Sequence, residues 1–125
     1  MSDVLVIGGA TEAMLTRMSE KFTVHKWAER DMGWLKENGE KITHVVTNGH
    51  DGVRPDIMAA LPNLQMISCY GVGYDAIDTS EAVRRGIMVT HTPGVLNGEV
   101  ATTAVMLIMA CYRELLRDDA YVRSG

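Results

Sequence analysis

Residues 68–78 read SCYGVGYDAID, and within this run Gly71, Gly73 and Ala76 have the spacing G-x-G-x-x-A. Between a strand and a helix, that spacing lets a backbone turn tightly and approach the pyrophosphate of a dinucleotide at the helix N-terminus. The surrounding residues oppose this use. Asp75 and Asp78 place negative charge where the phosphates would sit, the reverse of what a helix N-terminus needs to offer an anion. The helical pattern behind the turn is brief, and about 20 residues past the first glycine, where an acidic residue should meet the ribose, the chain reads VTHTP. A second chemistry is open to the same turn. If the backbone N–H groups of Val72 and Gly73 point out of it, they can grip one small carboxylate, each charge-assisted bond contributing about 1.5–3 kcal/mol. A turn that merely links strand to helix would use the same glycines, and the residues alone leave both readings standing.

The other reactive side chains offer less. Of the four histidines, His25 lies in a strand pattern and His44 at a strand start, which suits structural or surface roles. His50 and His91 fall at strand ends, where a binding role is open. No histidine has a carboxylate at a spacing that marks an acid–base pair, so no catalytic residue is assigned to this chain. Glu37 with Glu40, and Asp118 with Asp119, read as solvated faces. Cys69 and Cys111 lack metal-ligand spacing, and no metal site is expected. One lies in a strand pattern and the other in a helix pattern, so both are expected to be buried thiols, in keeping with a reducing cytoplasm.

The elements that must position the turn follow from composition and pattern. A chain of 125 residues, 46% hydrophobic, can bury one core but is short for separate cofactor and substrate domains. Its formal charge of -4, with Lys and Arg scattered, provides no electrostatic footprint for nucleic acid or an anionic membrane. The N-terminal VLVIGG lacks a basic leader, and the apolar stretch Val100 to Tyr112 is shorter than the roughly 20 residues a membrane span requires.

Short β-branched runs alternate with amphipathic segments, the pattern of parallel α/β units. Strands are predicted at 4–7, 23–26, 44–47, 66–69 and 87–90, with helices at 12–20, 32–38, 55–60 and 79–85. Pro55 suits a first helical turn and Gly86 a helix end. Right-handed crossovers then give a flavodoxin-like, doubly wound parallel sheet in the order 2-1-3-4-5, with ligands gathering at the carboxyl ends of the strands. Other ligands of that architecture fit poorly. A phosphoacceptor receiver needs an acidic cluster after the first strand, where GGAT stands, and a flavodoxin needs a hydroxyl-rich phosphate loop there.

From Gly98 to Ala120 one continuous helix is expected, apolar almost all round between Ala104 and Tyr112. Val100, Ala104, Leu107, Cys111 and Leu115 mark one face; Val105, Ile108, Met109, Tyr112 and Leu116 mark another. A helix lying on a sheet needs one apolar stripe. Leaving a second in water forgoes about 1.5–3 kcal/mol per large side chain, so a partner subunit or second domain is expected to cover it. The chain closes on YVRSG directly behind this helix, which reads as an interrupted protein.

The run CYGVGYDAIDTSEAVRRGIMVTHTPGVLNGEVATTAVMLIMACYREL resembles the N-terminal substrate-binding lobe of the D-isomer-specific 2-hydroxyacid dehydrogenases, in the flavour of their glyoxylate/hydroxypyruvate reductase and glycerate dehydrogenase branch. HVVTNGHDG and LPNLQMIS extend the resemblance upstream to Ile42. It implies a substrate-binding lobe at 1–96, an interdomain and dimerisation helix at 97–125, and a Rossmann NAD(P)-binding domain after 125 carrying the Arg, Glu and His of the chemistry. The activity implied is hydride transfer between NAD or NADP and a small 2-keto or 2-hydroxy acid, with this part alone inactive. The resemblance further implies that Val72 and Gly73 bind the substrate carboxylate, that Asn48 and Gly49 line the pocket, and that Val72 and Thr103 lie near the nicotinamide. Asn97 is expected to cap the long helix, and a homodimer is expected through residues 98–120. A non-catalytic binding or dimerisation module on the same lobe is the alternative.

Overall fold

The computed structural model describes residues 2–125, which divide into two compact units, 2–93 and 94–125. In the first unit five parallel strands form one sheet: β1 (Asp3–Val6), β2 (Thr23–Lys26), β3 (Ile42–Asn48), β4 (Met66–Tyr70) and β5 (Met88–Thr90). Their order is β2-β1-β3-β4-β5, the doubly wound topology that the alternating pattern predicts.

Four helices join them: α1 (Glu12–Ser19), α2 (Met32–Asn38), α3 (Pro55–Ala59) and α4 (Thr79–Arg84). Each starts where a local group satisfies a free N–H or where none is needed. Thr11 Oγ1 accepts from the Met14 amide, Asp31 from Trp34 at 2.8 Å, and Asp78 from Glu81 at 2.9 Å, while Pro55 opens α3.

The main core cluster lies on one face of the sheet, while Val4 and Val6 of β1 are buried on the other. Leu5, Val45 and Ile67, each fully buried, alternate inward along the three central strands and meet Leu35 of α2, Ile57 and Met58 of α3, and Ala82 of α4. Because side chains alternate with period two, this set is held to one face by register alone. Helix α1, on its own, buries no residue completely.

His25 has the carboxylate partner that sequence spacing did not reveal. Its Nε2 lies 3.0 Å from Asp3 Oδ2, and its ring packs 4.8 Å from Trp34. The pair ties edge strand β2 to β1, whereas the glycine turn follows β4, so it is a structural contact of the sheet edge.

Three expectations for the second unit are corrected. The single helix 98–120 is two: α5 (Asn97–Tyr112) and α6 (Leu115–Arg123). Glu114 separates them with φ 49°, a left-handed conformation costing a non-glycine residue about 1–2 kcal/mol. Its carbonyl accepts from Arg117 and Asp118, so it begins α6, and its carboxylate pairs with Arg117. Asn97 is the first residue inside α5, Leu96 occupying the cap position without a side-chain bond. Cys111 is exposed, because it lies on α5, whose large apolar side chains are open on both faces rather than one. No helix among the described residues is long and apolar enough to cross a membrane.

Ile67→Ala should lower the stability of the sheet unit by about 2–5 kcal/mol, while Val83→Ala, at a side chain 80% exposed, should change it by less than about 0.5 kcal/mol. Urea unfolding curves of both variants check this, and equal losses would contradict the placement of the core.

Candidate functional site

At the carboxyl end of β3, residues 48–52 form a closed loop built by its own polar groups. Asn48 Oδ1 accepts from the amides of His50 and Asp51 at 2.9 and 2.8 Å, and Asn48 Nδ2 donates to Asp51 Oδ2 at 2.6 Å. Buried Thr47 donates its hydroxyl proton to the Gly52 carbonyl at 2.7 Å. The amide side chain of Asn48 is thus engaged in shaping the loop.

Parallel pairing of Asn48 with Tyr70 sets this loop beside the turn that follows β4. The two backbones touch at glycines. A Cβ on Gly49 would stand 2.5 Å from the Gly73 carbonyl oxygen, and one on Gly52, whose φ is +58°, would stand 1.9 Å from that of Ala76. No side chain fits either gap. Val53 and Ile77 then close the pair with a parallel bridge, the Val53 amide donating to Ala76 O at 3.1 Å.

Within the turn, three successive carbonyls are held against the fold. Gly71 O accepts from the Thr92 amide at 2.9 Å, Val72 O from His91 Nδ1 at 2.9 Å, and Gly73 O from Cys69 Sγ at 3.3 Å. A carbonyl only accepts, so His91 carries its proton on Nδ1. Burial pushes the Cys69 thiol up from its ordinary value, which keeps its proton in place to donate. There is no cis peptide among the described residues, and in a trans peptide the N–H points opposite to the C=O. The amides of Val72, Gly73 and Tyr74 therefore point away from these anchors, and none donates a hydrogen bond within the described chain.

The helix behind the turn is no phosphate site. Helix α4 has six residues, and the Asp78 carboxylate already fills its N-terminus. Asp75 is exposed, with its Oδ2 3.5 Å from where a Gly73 Cβ would be. A dinucleotide pyrophosphate does not fit two carboxylates so placed, in agreement with the objection raised by the residues themselves.

The structure brings Asn48, Gly49, Val72 and Gly73 together; Thr103 lies exposed on α5 in the other unit. His50 is exposed at the loop tip. A cavity of about 620 Å³ opens on the sheet face between α1 and β3, β4 and β5, reaching Tyr70, His91 and Thr92 but not the amides of the turn. Sequence reasoning left a binding role open for His91 and read Cys69 as a buried thiol, but it did not reveal either as an anchor of the turn. His91 lies 19 positions from Val72, and Cys69 has the character of an ordinary buried strand residue. Among the described residues no cluster of His, Cys, Asp and Glu is placed to hold a metal ion.

The lobe is thus a doubly wound parallel α/β domain with a glycine turn carrying free amides at its carboxyl edge. The sequence profile of the D-isomer specific 2-hydroxyacid dehydrogenase catalytic domain matches residues 4–113, and the chain belongs to that family. It is 41% identical over 123 residues, 98% of its length, to a 2-ketogluconate reductase of Gluconobacter oxydans, and spans 39% of that relative. Among solved structures it is similar to a 2-hydroxyacid dehydrogenase from Ketogulonicigenium vulgare, with TM-score 0.87, 36% identity, and coverage of 99% of this chain and 40% of that one. An NADPH-dependent glyoxylate/hydroxypyruvate reductase from Sinorhizobium meliloti, in complex with NADP and malonate, aligns with TM-score 0.75 and 29% identity over 100% of this chain and 39% of its own. The chain thus spans about two fifths of the length of these relatives.

Gly49→Ala should displace the turn, costing about 1–3 kcal/mol of stability and moving the NMR amide signals of residues 71–74 while those of β1 and β2 stay in place. Unmoved signals at 71–74 would contradict the close approach.

Proposed function

We propose that the chain is the substrate-binding lobe of an oxidoreductase that transfers a hydride between NAD or NADP and a small 2-keto or 2-hydroxy acid. The observation that carries this reading is the row of three inward carbonyls, which leaves the amides of Val72, Gly73 and Tyr74 free and adjacent. Two such donors orient a carboxylate through charge-assisted bonds and so fix the neighbouring C2 carbon. Family membership, and relatives that include a 2-ketogluconate reductase and a glyoxylate/hydroxypyruvate reductase, support an acid of this class as the ligand.

In this reading Asn48 and Gly49 act through the main chain. Asn48 holds the loop closed, and Gly49 lets it lie against Gly73, so the two shape one wall of the pocket. Val72 carries both an amide for the carboxylate and a half-buried side chain proposed to face the nicotinamide; Thr103 is proposed for the same neighbourhood by resemblance alone. The turn does not suit the cofactor's phosphates, so the reading gives nucleotide binding to the part of the parent enzyme that relatives have and residues 1–125 do not cover. That cofactor supplies or accepts the hydride; the present residues bind and orient the acid. The lobe alone is expected to be inactive, and its two free thiols suit a cytoplasmic setting.

Titration with oxamate, an unreactive small keto-acid analogue, should shift the NMR amide signals of Val72 and Gly73, while uncharged glycolamide should leave them unmoved. Absence of any carboxylate-dependent shift in the turn would defeat the proposal. In the same samples, NADPH mixed with glyoxylate should be consumed no faster than in a blank, and steady oxidation would refute the inactivity of the lobe.

A homodimer through α5 goes with this reading. Val105, Leu107, Ile108 and Met109 are 54% to 66% exposed in the single chain, a stretch that water does not favour. Sedimentation equilibrium should report a dimer, and a monomer at every loading concentration would count against it.

A further inference from the structure

The free amides of the turn owe their direction to groups outside it, two of which are side chains. We propose that His91 and Cys69 are positioning residues for carboxylate binding, acting on the ligand only through the peptide planes of Val72–Gly73 and Gly73–Tyr74. The inference rests on the proposed grip by the turn and goes beyond it in naming what holds that grip open.

The geometry is specific. His91 Nδ1 donates to Val72 O at 2.9 Å, and the peptide it holds is the one whose N–H belongs to Gly73. Cys69 Sγ donates to Gly73 O at 3.3 Å, and that peptide's N–H belongs to Tyr74. The third anchor, the Thr92 amide on Gly71 O, fixes the plane whose N–H belongs to Val72 and is main chain, so no side-chain substitution removes it. Rotation of either side-chain-anchored plane would turn a donor toward the fold and a carbonyl oxygen toward the ligand, replacing attraction of an anion by repulsion.

His91 is itself held. It follows the last residue of β5, and its ring meets Tyr74 edge-on at a centroid distance of 4.8 Å. Cys69 points from β4 into the core, 4% exposed, on the same strand that leads into the turn. Cys69 belongs to β4 and His91 directly follows β5, and both reach carbonyls in a segment that has no ladder of its own.

Substitutions that keep or remove a donor separate positioning from bulk stability. His91→Asn retains a side-chain N–H, and Cys69→Ser retains a hydroxyl donor; His91→Leu and Cys69→Ala retain neither. In the ligand-free chain, the two donor-less variants should move the carbonyl ¹³C signals of Val72 and Gly73 respectively, with signals of β1 and β2 unmoved. Their oxamate dissociation constants, read from the turn amides, should rise by about fivefold to tenfold, with Asn and Ser variants recovering most of the loss. If the donor-less variants bind oxamate as the unaltered chain does, the inference is overturned while the carboxylate grip survives. If the unaltered chain itself shows no carboxylate-dependent shift, the grip fails instead, and the anchoring is judged by the carbonyl signals. Carbonyl signals of Val72 and Gly73 that ignore both substitutions would overturn it there too.

Discussion

A planar trans peptide cannot turn its carbonyl and its N–H to the same side, and the free amides of the glycine turn follow from that constraint. Three consecutive carbonyls bonded to the Thr92 amide, the His91 ring and the Cys69 thiol leave the N–H groups of the same three planes without an acceptor among the described residues. In the proposed reading these amides grip an anion without a single basic side chain. On that proposal charge enters only through the ligand, and discrimination between an acid and its neutral amide is a property of backbone dipoles.

The sheet serves this turn by bringing a second loop against it. Pairing of β3 with β4 sets residues 48–52 beside residues 71–76, and glycines at 49 and 52 permit contact distances that any Cβ would forbid. The 48–52 loop is kept from drifting by bonds of its own: Thr47 from beneath and Asn48 from within. The closed shape of this edge therefore comes from short polar side chains, while the stability of the unit comes from the apolar core, where Leu5, Val45 and Ile67 meet α2, α3 and α4. The two jobs use different lengths of the same strands, the middle for the core and the carboxyl end for the loops.

The second unit makes the opposite use of its residues. Helix α5 exposes apolar side chains on both of the faces the sequence distinguishes, which is intelligible for an element that is covered by other protein. The break at Glu114 shows how a helix can end with no proline or glycine to announce it. Its left-handed φ and the bonds its carbonyl accepts from Arg117 and Asp118 start a new helix within two residues. Helix-favouring residues on either side, Met109, Ala110 and Arg113 before it and Leu115 to Arg117 after it, made a single continuous span the natural expectation.

Periodicity and caps, both local, were enough to reveal the five strands, the four helices between them and the doubly wound order. Alternation of β-branched runs with amphipathic segments leaves few topologies once crossover handedness is imposed. The acidic residues at 75 and 78 likewise spoke against a pyrophosphate from sequence alone, and Asp78 proved to be a helix cap. The tertiary structure decided which way the amides of the turn face, because that depends on His91 and Cys69, one of them 19 residues from its acceptor and brought near by strand pairing. It also decided that Asn48 spends its side chain on its own loop, that His25 pairs with Asp3 across two strands, and that Cys111 lies open to solvent. Composition and spacing report what each residue can do; the partner that makes it do so is chosen by contacts between segments distant in the chain.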